Sequence, residues 1–237
     1  MACALGELGA VVYIASRRKN LCDQIANEMQ DDGIDCNSFQ CDVTVEKQVD
    51  NMVDSVIRER GRLDVMVCNA GGNAALPTYV PYASVDEFME TIQLNVKGTY
   101  MCAQAAARVM VLQKSGAIIT IGSIHGSLTN KKSFYEGLNF GRGAAAYQTS
   151  KGGIINMTRY LAGELAEYGI TANCISPGQI PGPGMSDLFA QRSIESIPLE
   201  RGGTPDDLKG AVVLLASSAG SWITGHNLIV DGGWSIW

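Results

Sequence analysis

Leu63-Asp64-Val65-Met66-Val67-Cys68-Asn69-Ala70-Gly71-Gly72 decides the architecture of this chain. An apolar run of strand length ends abruptly in an asparagine and two glycines. A strand apolar on both faces predicts a parallel sheet with both faces covered, and the glycines mark a tight turn at its C-terminal end. The same pattern recurs outward from this point. Upstream, 10–15 reads as a buried strand and 20–32 as a helix ended by Gly33. A second strand spans 35–41, and a helix over about 45–60, capped by Thr44, ends at Gly61. Downstream, Ser84 caps a long helical stretch reaching about Gln113, and 117–121 is a strand. Helix 147–167, strand 170–175, helix 205–216 and a short strand 227–230 complete the series. Strands alternating with helices over the whole length, without repeat or low-complexity linker, predict a single α/β domain over 1–237.

Bulk properties narrow the function. The 237 residues are 46% hydrophobic and 18% charged, with a formal net charge of -6. An acidic balance opposes phosphate backbones, so no nucleic-acid partner is expected. Seven cysteines without a Cys-x-x-Cys pair, and only two histidines, argue against a zinc site. The odd cysteine count and the lack of a secretory pattern predict a reducing cytoplasm. No run of about 18 apolar residues predicts a membrane span.

The chemistry gathers around Tyr147-Gln148-Thr149-Ser150-Lys151. Tyr147 and Lys151, four apart, share one helix face. A phenol near its ordinary pKa of about 10 is a weak acid–base catalyst at neutral pH, and a neighbouring ammonium favours its ionised form. Taken alone, such a pair is common on exposed helices. Ser123 follows strand 117–121, and Asn69-Ala70-Gly71 follows strand 63–68, both at C-terminal strand ends where α/β sheets bind ligands. Each is also readable as an ordinary turn. Asn95, a poor helix former inside a long helix, suits either a surface site or a polar group at a kink.

In this order, together with Asp42-Val43, Leu94-Asn95-Val96, Pro177-Gly178 and Val230-Asp231-Gly232-Gly233, these motifs resemble the short-chain dehydrogenase/reductase family along essentially the whole chain. The resemblance implies a doubly wound, Rossmann-type sheet and an oxidoreductase that interconverts an alcohol and a ketone by hydride transfer with a nicotinamide cofactor. It implies Tyr147 as general acid/base, and Lys151 as ligand of the nicotinamide ribose and partner of Tyr147. Ser123 would bond the reacting oxygen, and Asn95 would hold a relay water. Asp42 and Val43 would contact adenine, and Asn69, Ala70 and Gly71 the adenosine side. Pro177, Gly178 and Ile180 would lie along the nicotinamide. It further implies a homodimer or homotetramer.

The second strand of such a fold selects the cofactor. Here it ends Ala15-Ser16-Arg17-Arg18, where a basic pair favours the 2′-phosphate of NADP; a solvated basic pair is the other reading. Two departures stand out. Residues 1–9 read as the end of a helix, so the first central strand and its glycine-rich phosphate loop are expected to be lacking. That opens an alternative: a truncated, catalytically impaired homologue serving as an oligomeric or binding protein. Ser123 and Tyr147 are also 24 positions apart, more than the family's usual spacing, with an added segment around 131–140 that is either a substrate wall or a surface loop. This insert, with Gly225-His226-Asn227 and Gly233-Trp234, looks like gluconate 5-dehydrogenase-like members, implying a sugar acid, polyol or related keto compound. His125, two residues beyond Ser123, is a candidate substrate residue, and His226 a packing residue.

Overall fold

The computed structural model describes residues 1–73, 80, 82–129, 131–138, 144–182 and 186–237. Six strands run in chain order: β1 (Val12–Ser16), β2 (Cys36–Gln40), β3 (Val65–Cys68), β4 (Gly116–Ile121), β5 (Ile170–Pro177) and β6 (Asn227–Val230). Eight α-helices alternate with them: α1 (Ala2–Gly6), α2 (Lys19–Asp31), α3 (Glu46–Arg60), α4 (Val85–Ile92), α5 (Gly98–Gln113), α6 (Ala145–Leu165), α7 (Asp187–Ser196) and α8 (Lys209–Ala216). Every observed strand pairing is parallel.

Successive residues of a strand point to opposite faces, and β4 shows what this does. Ile118 joins a core built with Val49 and Val53 of α3, Cys102 and Ala106 of α5, and Leu161 of α6. Its neighbour Ile119 joins the opposite core with Ala4 of α1 and Val212 and Leu215 of α8. Both isoleucines are fully buried. This is the α/β architecture with helices on both faces that the apolar strands predicted.

The strands form two sheets, β1-β2 and β3-β4-β5-β6. A continuous sheet needs a strand between β1 and β3, and the described residues place none there. The two sheets are linked through contacts of the turn after β2 with the helical segment around Lys97 and Gly98. A Cβ on Gly98 of α5 would lie 2.8 Å from Val43, which shows how closely the turn after β2 packs on that helix. Lys97 Nζ donates to the Thr44 carbonyl at 3.3 Å.

Three local expectations are corrected. Thr44 does not cap α3: its hydroxyl and amide both bond Asp42 Oδ1, at 2.7 and 2.9 Å, and Val45 occupies the cap position without a side-chain bond. The helix expected from Ser84 to Gln113 is interrupted by a π-helical turn, Gln93–Lys97, between α4 and α5. The helix expected over 205–216 begins as a 3₁₀ turn, Pro205–Leu208, before α8.

Candidate active site

Parallel strands deliver the turns after β3, β4 and β5 to one sheet edge, and the expected catalytic residues meet there. Tyr147 and Lys151 lie on the first turns of α6, and Ser123 follows β4. The Ser123 hydroxyl stands near enough to the Tyr147 phenol to favour its ionised form, and Ser123 Oγ accepts the His125 amide at 3.1 Å. Lys151 Nζ lies 5.7 Å from the Tyr147 ring centroid and donates to the Ile121 carbonyl at 2.7 Å.

Asn95 occupies the π turn and is completely buried. The wider turn lets its amide reach in two directions. Oδ1 accepts the Gly72 amide and Nδ2 donates to Ser150 Oγ, each at 2.8 Å. Ser150 then donates to the Tyr147 carbonyl at 2.8 Å. A Cβ on Gly71 would stand 2.9 Å from Asn95 Oδ1 and 3.6 Å from Lys151 Nζ, so the turn after β3 lies directly against both. Asn95 is thus a strut between that turn and the first turn of α6. Ser150 and Gly72 were missed as partners in the sequence; the poor helix propensity of Asn95 marked the kink but not the reach of its side chain.

The electrostatics correct one expectation. Burial pushes the Tyr147 phenol up from its ordinary value, and the influence opposing burial is the Ser123 hydrogen bond, not Lys151. The ammonium is itself buried, and desolvation lowers it to about 8. At neutral pH the arrangement is therefore a protonated phenol beside a weakly held cation. Burial also lowers His125, leaving it neutral at pH 7. Its Nε2 lies 3.4 Å from Gln179 Nε2, and its Nδ1 is buried without a hydrogen-bond partner.

The remaining expected residues lie at or just beyond the C-terminal ends of their strands. Pro177 ends β5 and Gly178 follows it; the Gly178 amide donates to the Val230 carbonyl, and a Cβ there would strike the Asp231 backbone at 2.6 Å. Ile180 packs partly against the core beneath. Asn69 and Ala70 are exposed after β3. At the end of β1, Ser16 Oγ accepts the Arg18 amide at 3.1 Å, and the side chains of Arg17 and Arg18 are exposed. Asp42 lies near Arg17, and its carboxyl is held low first by the two Thr44 bonds. Among the described residues no group of three or more His, Cys, Asp or Glu is placed to hold a metal ion, and no helix is long and apolar enough to cross a membrane.

The residues present fit both ends of a nicotinamide dinucleotide. Lys151 has three N–H groups with one on Ile121, which leaves donors for ribose hydroxyls. Ser16, Arg17 and Asp42 stand at the ends of β1 and β2.

Comparison with known proteins agrees with the fold. A family model described as enoyl-(acyl carrier protein) reductase matches residues 1–235. The cyclohexanol dehydrogenase of Rhodococcus sp. (strain TK6) is 32% identical over 217 residues, covering 89% of this chain and 77% of the relative. A crystal structure of a gluconate 5-dehydrogenase from Burkholderia cenocepacia J2315 in complex with NADP and tartrate superposes with a TM-score of 0.88. It has 28% identity, over 100% of this chain and 89% of that one. An NAD+-bound xylitol dehydrogenase gives a TM-score of 0.86 at 31% identity, over 98% and 92%. The chain belongs to the short-chain dehydrogenase/reductase family, whose relatives here are oxidoreductases.

Proposed function

We propose that this protein is an NADP-dependent oxidoreductase that interconverts a secondary alcohol and a ketone. The observation that carries the reading is the Lys151 ammonium 5.7 Å from the centroid of the Tyr147 ring, with Ser123 beside the same phenol. A bound nicotinamide cofactor would supply or accept the hydride. Ser123 holds the reacting oxygen, and Tyr147, kept protonated by burial, gives it a proton in the direction of reduction and receives one in oxidation. Lys151 binds ribose and orients the phenol, and Asn95 fixes the turn after β3 against α6. A water carried on this strut would relay the proton outward.

Arg17 and Arg18, exposed at the end of β1, support NADP over NAD through the 2′-phosphate. Asp42 and Val43 flank the adenine, Asn69 to Gly71 the adenosine side, and Pro177, Gly178 and Ile180 the nicotinamide. His125 and Gln179, a neutral polar pair beside Ser123, suit a substrate carrying further hydroxyls, such as a polyol or sugar acid. We place the enzyme in the cytoplasm, where its seven free thiols stay reduced, as a homodimer or homotetramer.

A second reading, an impaired homologue acting as an oligomeric or binding protein, draws on the division of the strands into two sheets, β1-β2 and β3-β4-β5-β6. Fluorescence titration with NADPH and NADH, followed by turnover on cyclohexanol, xylitol and gluconate, separates the two. Saturable NADPH binding with oxidation of at least one alcohol is expected. Failure to bind either cofactor would remove the oxidoreductase reading.

A further inference from the structure

The segment added between Ser123 and Tyr147 is not a free loop over its described part. Lys132–Tyr135 forms a 3₁₀ turn, and Phe134 is buried. The Phe134 ring meets three others edge-on or nearly so: Tyr135 at 5.0 Å, Phe189 of α7 at 5.2 Å and Trp234 at 5.2 Å. Arg192 of α7 then donates from one nitrogen, Nη1, to the carbonyls of Phe134 and Glu136, at 2.6 and 2.5 Å. Hydrogen bonds from an ionised donor are about twice as strong as neutral ones. Both partners are main-chain atoms, so this contact fixes backbone rather than charge. On the far side, Trp237 Nε1 donates to the Ser196 carbonyl at the end of α7, at 3.3 Å.

Topology places this assembly. The insert leaves the C-terminal end of β4 through Ser123, α7 follows the end of β5, and Trp234 follows the end of β6. All three segments rise from the sheet edge that carries Tyr147. We propose that Arg192 and the Phe134–Phe189–Trp234 cluster tie residues 131–138 to α7 as one fixed roof on the substrate side, and that this roof restricts the site to compact alcohols and ketones without a long carrier-linked acyl tail. The substrate part rests on the oxidoreductase reading above; the mechanical part does not. Arg192 is a positioning residue here: it touches the roof, not the reacting atoms.

The test compares the full chain with Arg192→Ala and Arg192→Lys. Hydrogen exchange read by mass spectrometry should show peptides over 131–138 and 187–196 losing protection together in Arg192→Ala, by about tenfold or more, while β2 at 36–40 stays unchanged. Arg192→Lys, which keeps a cationic donor, should recover part of that protection. Loss confined to the insert, with α7 unmoved, overturns the single roof. The substrate arm uses NADPH with cyclohexanone and with the N-acetylcysteamine thioester of acetoacetate. Wild type should prefer cyclohexanone, and Arg192→Ala should narrow the preference through KM for the thioester, with the NADPH Kd unchanged. A wild-type enzyme that uses the thioester at least as well overturns the size restriction. If neither ketone is reduced and NADPH does not bind, the oxidoreductase reading fails, and the exchange arm still decides the roof.

Discussion

The layer β3–β6 and the layer β1–β2 carry the two halves of the candidate site, and they are built differently. In the first, Asn95 is wholly buried, Lys151 is 5% exposed and Ser123 7% exposed, and all three are hydrogen-bonded within the protein. In the second, Arg17 and Arg18 are exposed, and Asp42 is held by its own turn through Thr44. The contrast teaches that the chain itself preorganises the proposed proton-transfer end, whereas the proposed adenosine end offers exposed charge and turn geometry. Preorganised groups affect turnover, and loosely held charges affect affinity. The comparison can be tested at each end.

The largest effect belongs to the buried half. Tyr147→Phe removes the transferable proton while keeping the ring. Turnover should fall by about 10²–10⁴-fold with NADPH affinity nearly unchanged. A variant retaining tens of percent of the wild-type rate would assign the proton to another group.

Lys151→Met separates stability from activity in the same half. The ammonium is depressed to about 8 from an ordinary 10.5 by burial. Below pH 8 both folded and unfolded chains carry the charge, so the burial penalty is fully present. Between about 8 and 10.5 the folded state sheds the proton first, and wild-type stability rises with pH. The penalty is roughly 3 kcal/mol, partly offset in the variant by the unpaired Ile121 carbonyl. Lys151→Met should therefore melt higher at pH 7 by about 2 kcal/mol, lose that advantage towards pH 10, and be inactive throughout. A variant less stable at pH 7 would mean that the Ile121 bond outweighs desolvation.

At the exposed end the expected change is in affinity. Arg17→Ala with Arg18→Ala should weaken NADPH by about tenfold or more and leave NADH within about twofold, since charge-assisted bonds to a phosphate contribute about 1.5–3 kcal/mol. Equal losses for both cofactors would mean that the pair is solvated surface, and the cofactor choice would fall with it.

What the sequence disclosed follows the same division. Apolar strands such as β4 and glycine stops such as Gly61, left-handed at φ 73°, were legible because their causes are local. The order of motifs brought Ser123, Tyr147 and Lys151 to one edge. The π turn was half legible: asparagine signalled a break, but only the fold reveals that Gly72 and Ser150 receive its two ends. The sign of the Tyr147 shift was not legible, because spacing gives proximity to Lys151 and not the depth of burial. α7 was missed altogether. Its ten residues follow a proline-glycine stretch, and its buried Phe189 packs on Phe134 of the insert. The signal available was Ser186 ahead of Asp187, and Ser186 Oγ does accept the Phe189 amide at 3.2 Å.

The smallest prediction contrasts two residues that look alike in the sequence. Ser84 and Thr44 both read as helix caps, and only Ser84 is one. Its Oγ accepts the Glu87 amide at 3.2 Å while the Glu87 carboxylate takes the Ser84 amide at 2.8 Å, a reciprocal capping box. Ser84→Ala should lower stability by about 1 kcal/mol with little effect on the NADPH Kd. Thr44→Ala removes no cap; it strips one of the bonds that hold Asp42 low. Asp42 then titrates closer to its ordinary value. The stability that ionised Asp42 contributes above the unfolded carboxylate pKa, and that is lost as pH falls through its folded value, shrinks accordingly. Thr44→Ala should therefore melt less differently from wild type at pH 3 than at pH 7, with its binding defect confined to the adenosine end. Paired melts at the two pH values and NADPH titrations at pH 7 read both variants. A Thr44→Ala variant that loses the same stability at both pH values, with unchanged cofactor affinity, would show that the turn after β2 is ordinary scaffold.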